Sequence, residues 1–411
     1  MPNTIALFNL KYSPNLGDGI IALCLEHELR RHFVSWDMRS IDLAGRTEWA
    51  APTRGAGRAA ALTLLNQLPS WAGEIVVRTA LGVEFRQRLL QFYREGVRGC
   101  RFAIFGGGQL FQDGDLNFPL KVAAAAETCS AAGVPFAIYG VGATASRSQT
   151  GKRLFNRVLT ACQRDVVFAR DDASAERLRG LGASRAKRCL DPGLLASDLW
   201  PSSTRLPVRR PTVGLCITHP AVLGHHGGTT KGSPKALLDR IIALIGRLMD
   251  GNHIVVCFTD GANEDELFLA RCHDRLRETE IIGDQVVIWP RCANPAELAR
   301  LIGSFNVVIA HRLHACILAH SYRVPSIGLK WDPKLQAFFD VVGQFDGVLD
   351  FERTSNDVFA CRVAAALATP FPAERHRAAL KSARAGVREL ADGLKKILAN
   401  EAGGPEERVV A

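Results

Sequence analysis

Residues 309–320, IAHRLHACILAH, set three histidines, an arginine and a cysteine in an otherwise apolar run. His311, His314, Cys316 and His320 are metal-ligand types, and His311 and His314 could share one helix face. Several features favour an anion over a metal. Arg312 in the middle would repel a cation, His320 points elsewhere, and no nearby Asp or Glu completes a ligand set. The run follows the strand-like NVVIA (306–310). A helix beginning near His311 would place His311, Arg312 and His314 in its first turn, where free N–H groups favour a carboxylate or phosphate. Histidines that only fill a core are the plain alternative.

Other stretches carry comparable chemistry. In PNLGDGII (14–21), Asp18 sits where a helix cap would, or Asn15 and Asp18 reach into a ligand site from a strand end. FAIFGGGQLFQDG (102–114) delivers Gly106, Gly107 and Gly108 after a buried strand, and GVGATA (140–145) repeats the device with Gly140 and Gly142. Backbone this bare suits the approach of a phosphate or sugar, although it is not a dinucleotide fingerprint. VFARDDAS (167–174) ends a strand in Arg170, whose planar fork suits a carboxylate or phosphate; an ion pair with Asp171, Asp172 or Glu176 is the alternative. Asp191 before Pro192 reads on pattern as a turn former, with a ligand-facing carboxylate as the second reading. LKWDPKLQAFF (329–339) brings Lys330, Asp332 and Lys334 to another strand end. His225 and His226, in a Gly/Thr-rich loop, read as surface.

Such residues need strand ends that share one edge. The chain alternates short β-branched or aromatic runs (TIALFNL, FAIFGG, FAIYGVG, DVVFAR) with helical patterns, which predicts an α/β protein with parallel sheets. After DLWPSSTRLPVRRP a second alternating set begins at TVGLCIT and runs through HIVVCFTD, QVVIWP and NVVIA. The expected organisation is an N-terminal αβ domain (1–197), a linker (198–211), a C-terminal αβ domain (212–372), a helix (373–402) crossing back, and a tail (403–411). Ligands would lie in the cleft between the two domains.

Bulk properties narrow the partners. The chain of 411 residues is 47% hydrophobic and 22% charged, as soluble globular proteins are. No apolar run is long enough to span a bilayer, and the first residues read as no signal peptide, so a cytoplasmic location is the expectation. Eleven dispersed cysteines contain no CxxC pair and suit a reducing compartment. The net charge of +10 favours phosphorylated metabolites or acidic lipid. Half of it lies in 46–101, which holds nine arginines and four glutamates. Nucleic acid is excluded as a partner by the lack of an aromatic-interleaved basic patch or zinc finger.

In order, Asn15-Leu16-Gly17-Asp18, Gly106-Gly107-Gly108, Gly140-Val141-Gly142, Arg170-Asp171 with Ser174, Asp191-Pro192, Arg312-Leu313-His314-Ala315 and Trp331-Asp332-Pro333-Lys334 resemble the motif series of the polysaccharide pyruvyl transferase family. Where that family's second half commonly opens on Ser-x-Arg, this chain has Cys216-Ile217-Thr218-His219. The resemblance implies two Rossmann-like αβ domains facing a cleft, as in GT-B glycosyltransferases. It implies transfer of a pyruvyl group from phosphoenolpyruvate, a co-substrate rather than a cofactor, onto two sugar hydroxyls as a ketal. Arg170, Arg312, His314 and Lys334 would then hold the donor. His314 would be the acid or base, and Asp18 or Asp191 would assist or orient the sugar. Asn15, Gly106, Gly107, Gly108, Gly140 and Gly142 would line the acceptor side. No metal or further cofactor is expected, and no motif sets an oligomeric state. The arginine-rich 46–101 would meet a lipid-linked oligosaccharide at the inner membrane face, with Trp49 and Trp71 as candidate anchors. Two other readings compete: a glycosyltransferase using a nucleotide sugar, and a non-catalytic saccharide- or phosphate-binding component of an export complex.

Overall fold

The computed structural model describes residues 3–49, 88–114, 116–145, 148–163, 166–201, 210–220, 234–279, 281 and 283–402. The first half runs β1 (Thr4–Asn9), α1 (Leu16–His32), β2 (Asp37–Asp42), α2 (Leu90–Val97), β3 (Phe102–Gly106), α3 (Asn117–Ala131), β4 (Phe136–Val141), α4 (Gln149–Ala161), β5 (Val167–Ala169), α5 (Asp172–Gly180) and β6 (Lys187–Arg188). A 3-10 turn (Pro192–Leu195) and α6 (Ala196–Leu199) follow. The second half runs β7 (Thr212–Cys216), α7 (Pro234–Asp250), β8 (Ile254–Phe258), α8 (Asn263–Glu278), β9 (Val286–Ile288), α9 (Pro295–Ser304), β10 (Val307–Ala310), α10 (Leu313–Ser321), β11 (Ser326–Leu329), α11 (Pro333–Val341), β12 (Val348–Leu349), α12 (Asn356–Ala368) and α13 (Ala373–Ala402).

Each half holds one six-stranded sheet, ordered β2-β1-β3-β4-β5-β6 and β12-β11-β10-β7-β8-β9, with every pairing parallel. Strands β1, β3, β4 and β10 are buried at every position, because helices cover both faces of a parallel sheet. The strand order reverses between β1 and β3 and again between β7 and β10, and loops leaving the strands' carboxyl ends open a crevice at each reversal.

The halves are joined by a shared core. Leu16, Ile20 and Cys24 of α1 pack with Cys316 and Ile317 of α10, Leu194 and Leu195 of the 3-10 turn, and Leu380 of α13. Helix α13 begins beside the second half and ends on the first. Its Val387, Leu390, Ala391 and Leu394 cover Ile5, Leu7 and Ile104, an apolar stripe at helical spacing on an otherwise charged helix. Asp198 and Leu199, read from sequence as linker, are helical, because Leu199 and Trp200 pack onto the shared core and Asp198 accepts from Arg384 at 3.2 Å. Ten cysteines are buried and Cys361 is exposed, all with free thiols. Among the described residues, no helix is long and apolar enough to cross a membrane.

Candidate active site

Among the helices that start at the sheets' carboxyl edges, four carry the expected site residues: α1 after β1, α5 after β5, α10 after β10 and α11 after β11. In a βα unit the helix N-terminus lies near the strand's carboxyl end, so the free N–H groups of all four gather at these edges. The edges touch. Leu16 N–H donates to the Asp260 carbonyl at 2.8 Å. The side chain of His314 packs directly on Gly17, where a Cβ would lie 2.2 Å from Nδ1. Any side chain at position 17 would therefore displace His314 or part the halves.

Two cations reach one neutral oxygen from opposite halves. Arg170 Nη2 donates to Gln109 Oε1 at 3.2 Å, and Lys334 Nζ donates to the same atom at 3.0 Å. Arg170 is 9% exposed, its Nε lies 3.7 Å from Asp171 Oδ2, and this Nε makes no hydrogen bond among the described residues. Lys334 also meets Asp332 Oδ2 at 2.9 Å and lies 4.8 Å over the Trp331 ring. Burial lowers Lys334 to about 8, with Asp332 opposing and Arg170 and Arg312 reinforcing the shift. Arg312 differs. Oδ2 of the fully buried Asp265 takes its Nε at 2.8 Å and its Nη2 as well, while Asp265 Oδ1 takes the His219 N–H at 2.8 Å.

His314 is neutral in this setting. Burial first, then Arg170, Lys334 and Arg312, hold it at about 3, and its buried Nε2 has no partner among the described residues. A bound anion would offset those three charges and raise its proton affinity.

The carboxylates resolve two sequence ambiguities. Asn15, not Asp18, caps α1, its Oδ1 accepting the Gly17 N–H at 3.2 Å. Asp18 stands in the first turn, bonded to Ser13, with Oδ1 3.5 Å from where a Cβ on Gly108 would be. Burial raises its pKa against the pull of Ser13 and of Arg46, Arg312 and Arg170. Asp191 forms the turn that its pattern suggests. Oδ1 accepts the Gly193 N–H at 2.8 Å and forms the turn, whereas buried Oδ2 has no partner among the described residues. Burial raises Asp191 despite the Gly193 bond and Arg170. A cavity is lined by Arg170, Asp191 and Lys334 on its polar side and by Leu194, Ile317 and Phe338 among its apolar walls.

Several expected residues stand apart. The helix after β10 begins at Leu313 with Arg312 as its N-cap, so His311 precedes it, edge-on to Phe351 at 5.5 Å. Burial and Arg312 hold His311 at about 3. His320 packs among Phe338, Phe371 and His376. The three histidines of the run thus face three different surroundings. Gly106 and Gly107 serve packing against α1, since a Cβ would come within 2.7 Å of Leu25 and 2.5 Å of Ile21. Gly140, at φ 66°, packs near Pro192; Gly142 leaves room for the Arg170 guanidinium, 2.6 Å from a built Cβ. Lys330 is exposed. Trp49 is no free anchor, because its indole donates to the Lys11 carbonyl at 2.9 Å and its ring meets Tyr12. Trp71, His225 and His226 lie outside the described residues. Sequence reasoning missed Gln109 and Asp265. A polar residue directly after three glycines was a usable signal for the first, whereas Asp265 reads only as one acid of a favourable first turn.

The chain matches the family model for polysaccharide pyruvyl transferase over residues 15–333. No curated protein sequence matches it. Similar solved structures include an assigned UDP-N-acetylglucosamine 2-epimerase from Listeria monocytogenes, with TM-score 0.58, 7% identity and 97% of each chain covered. The UDP-GlcNAc 2-epimerase from Methanocaldococcus jannaschii aligns with TM-score 0.53 and 11% identity over 97% of this chain and 100% of that one. The glycotransferase of kitacinnamycin aligns with TM-score 0.50 and 12% identity over 96% and 99%. Two facing parallel αβ halves with these neighbours make the fold GT-B-like. With the family match spanning well over half its length, the chain belongs to the polysaccharide pyruvyl transferase family.

Proposed function

We propose that this protein transfers a pyruvyl group from phosphoenolpyruvate to two hydroxyls of a sugar in a polysaccharide precursor, forming a pyruvate ketal. The observation that carries this reading is the junction of Arg170 and Lys334 on the neutral Gln109 oxygen, beside uncharged His314. Phosphoenolpyruvate brings a phosphate and a carboxylate. Two cations that share a neutral acceptor, each beside a carboxylate (Asp171 at 3.7 Å from Arg170, Asp332 at 2.9 Å from Lys334), supply charge-assisted bonds to such groups. The donor would take the place of the Gln109 oxygen between them. Arg312, held by Asp265, contributes positive potential and positions the first turn of α10. His314 then gains basicity as the donor's charge arrives and serves the phosphate as hydrogen-bond donor or proton carrier. Asp18, on the α1 side, takes the proton of an attacking hydroxyl. The acceptor is a sugar on a lipid-linked oligosaccharide, met at the inner membrane face by a cytoplasmic enzyme.

The test is turnover with phosphoenolpyruvate and a panel of lipid-linked and nitrophenyl sugars, following phosphate release and product mass. Stoichiometric phosphate and a ketal are expected. Nucleotide release from a nucleotide sugar, with no phosphate from phosphoenolpyruvate, would overturn the reading. So would donor binding with no turnover on any glycan.

A further inference from the structure

Resting on the phosphoenolpyruvate reading, we infer that Asp191 is the acid that delivers a proton to the donor's methylene carbon, across a cavity whose apolar walls receive the methyl group formed. Ketal formation needs that carbon, C3, to accept a proton so that C2 becomes electrophilic. The donor is therefore charged on two arms and apolar on the third, and its site should be as well. The cavity has this make-up: Arg170 and Lys334 line it as cations, Asp171 and Asp191 as carboxyl groups, and Leu194, Ile317 and Phe338 as hydrocarbon.

Asp191 is 6% exposed, and its two oxygens have different surroundings. Oδ1 is fixed by the Gly193 N–H at 2.8 Å. The backbone there is held close, since a Cβ on Gly193 would lie 3.1 Å from that oxygen and 3.2 Å from Ile317. Oδ2 is buried with no partner among the described residues. A buried carboxyl oxygen without a donor is favoured in its protonated form; burial dominates here, the Gly193 bond and Arg170 oppose it, and Asp18 adds to it. Neutral His314 among three cations is a weak source of a proton for carbon. Burial raises both Asp191 and Asp18, but Asp191 keeps one oxygen without a partner among the described residues, whereas Asp18 is bonded to Ser13 and lies near three arginines. On that difference Asp191 is the acid and Asp18 the base.

The step balances. The C2=C3 π electrons take the Asp191 proton, forming the methyl group and an oxocarbenium at C2. One sugar hydroxyl bonds to C2 and loses its proton to Asp18. The C2–O bond to phosphate then breaks, its electron pair leaving with phosphate, and the second hydroxyl bonds to C2. Of the two hydroxyl protons, one restores the Asp191 carboxyl through solvent and the other leaves with phosphate.

Asp191→Asn keeps an oxygen for the Gly193 N–H and removes the acidic proton. Expected are an unchanged thermal midpoint, an unchanged dissociation constant for phosphoenolpyruvate by calorimetry, and single-turnover transfer slowed by about 100-fold or more. With a sugar deoxygenated at one of the two hydroxyls, in D2O, the native protein should exchange the C3 hydrogens of phosphoenolpyruvate and Asp191→Asn should not. Exchange or transfer at the native rate in Asp191→Asn overturns the assignment. So does weakened donor binding with turnover intact, which would mean that Asp191 only holds Arg170. Should Asp191→Asn fail to fold, Asp191→Glu decides. A shifted high-pH limb of the rate supports the acid role, and a limb identical to the native one overturns it. Absence of any transfer by the native protein would instead remove the broader reading.

Discussion

Arg170 and Arg312 share a local setting in the two halves. Each follows a buried parallel strand, β5 or β10, and each leads into a helix. Their surroundings make them different groups. Arg312 is gripped through two nitrogens by one oxygen of fully buried Asp265. Arg170 has Asp171 at 3.7 Å and an amide oxygen shared with Lys334. Residue type and place along the fold therefore do not decide which arginine is available to a substrate. Pairing does, because a buried guanidinium with its carboxylate is already neutralised, whereas one resting on a neutral acceptor retains its field.

The contrast can be broken most strongly at Asp265. Asp265→Ala strands the buried Arg312 charge and should destabilise the protein by about 3–5 kcal/mol in urea denaturation; a change below about 1 kcal/mol would show that Arg312 has another anchor. Arg170→Ala should act on the ligand instead. Losing a charge-assisted contact of about 1.5–3 kcal/mol should weaken phosphoenolpyruvate binding roughly 10- to 100-fold by calorimetry, with a much smaller loss of stability than Asp265→Ala. Equal stability losses in the two variants would erase the distinction.

The pH dependence of donor affinity should be gentler. Lys334 binds an anion best when protonated, and it titrates at about 8. Affinity should fall as pH rises through that value, by up to tenfold per pH unit, and Lys334→Arg should flatten the fall because its charge persists. A further pH dependence concerns the stability of the fold, through His311 and His314. Both are held at about 3 in the fold against a usual 6.5. Between those values the unfolded chain binds more protons, so their contribution to stability is full above pH 6.5 and is lost as pH falls toward 3. Urea midpoints across this range should drop less steeply in His314→Gln, and Arg170→Ala should raise the His314 titration seen by NMR.

Much of the architecture was legible because a parallel strand covered on both faces is a plain apolar run. Strands β1, β3, β4, β7, β8 and β10 read that way. The edge strands β2 (DMRSID), β6 and β12 did not, since an edge need not be apolar and two or three residues hold no period. In the site, Arg170, His314 and Lys334 follow strand-like runs in the sequence and their donor roles come from the family resemblance, whereas Asp191 reads on pattern as a turn former. The fold gathers all four around one region. The cap of α1 was misread because Asn15 and Asp18 are both good capping residues, and only backbone dihedrals separate the cap from the first turn.

By itself the sequence determined that two sets of buried parallel strands would end in glycines, arginines and acids at helix starts. Those are local consequences of apolar patterning and of the free N–H groups that every helix leaves. Only the tertiary structure decided the charge of each group. The acid that neutralises Arg312 lies 47 residues away along the chain, the oxygen shared by Arg170 and Lys334 comes from a third segment, and His314 is uncharged because it is buried, with three cations adding to the effect. Burial and pairing act through space, and the distances that govern them exist only once the two sheets meet.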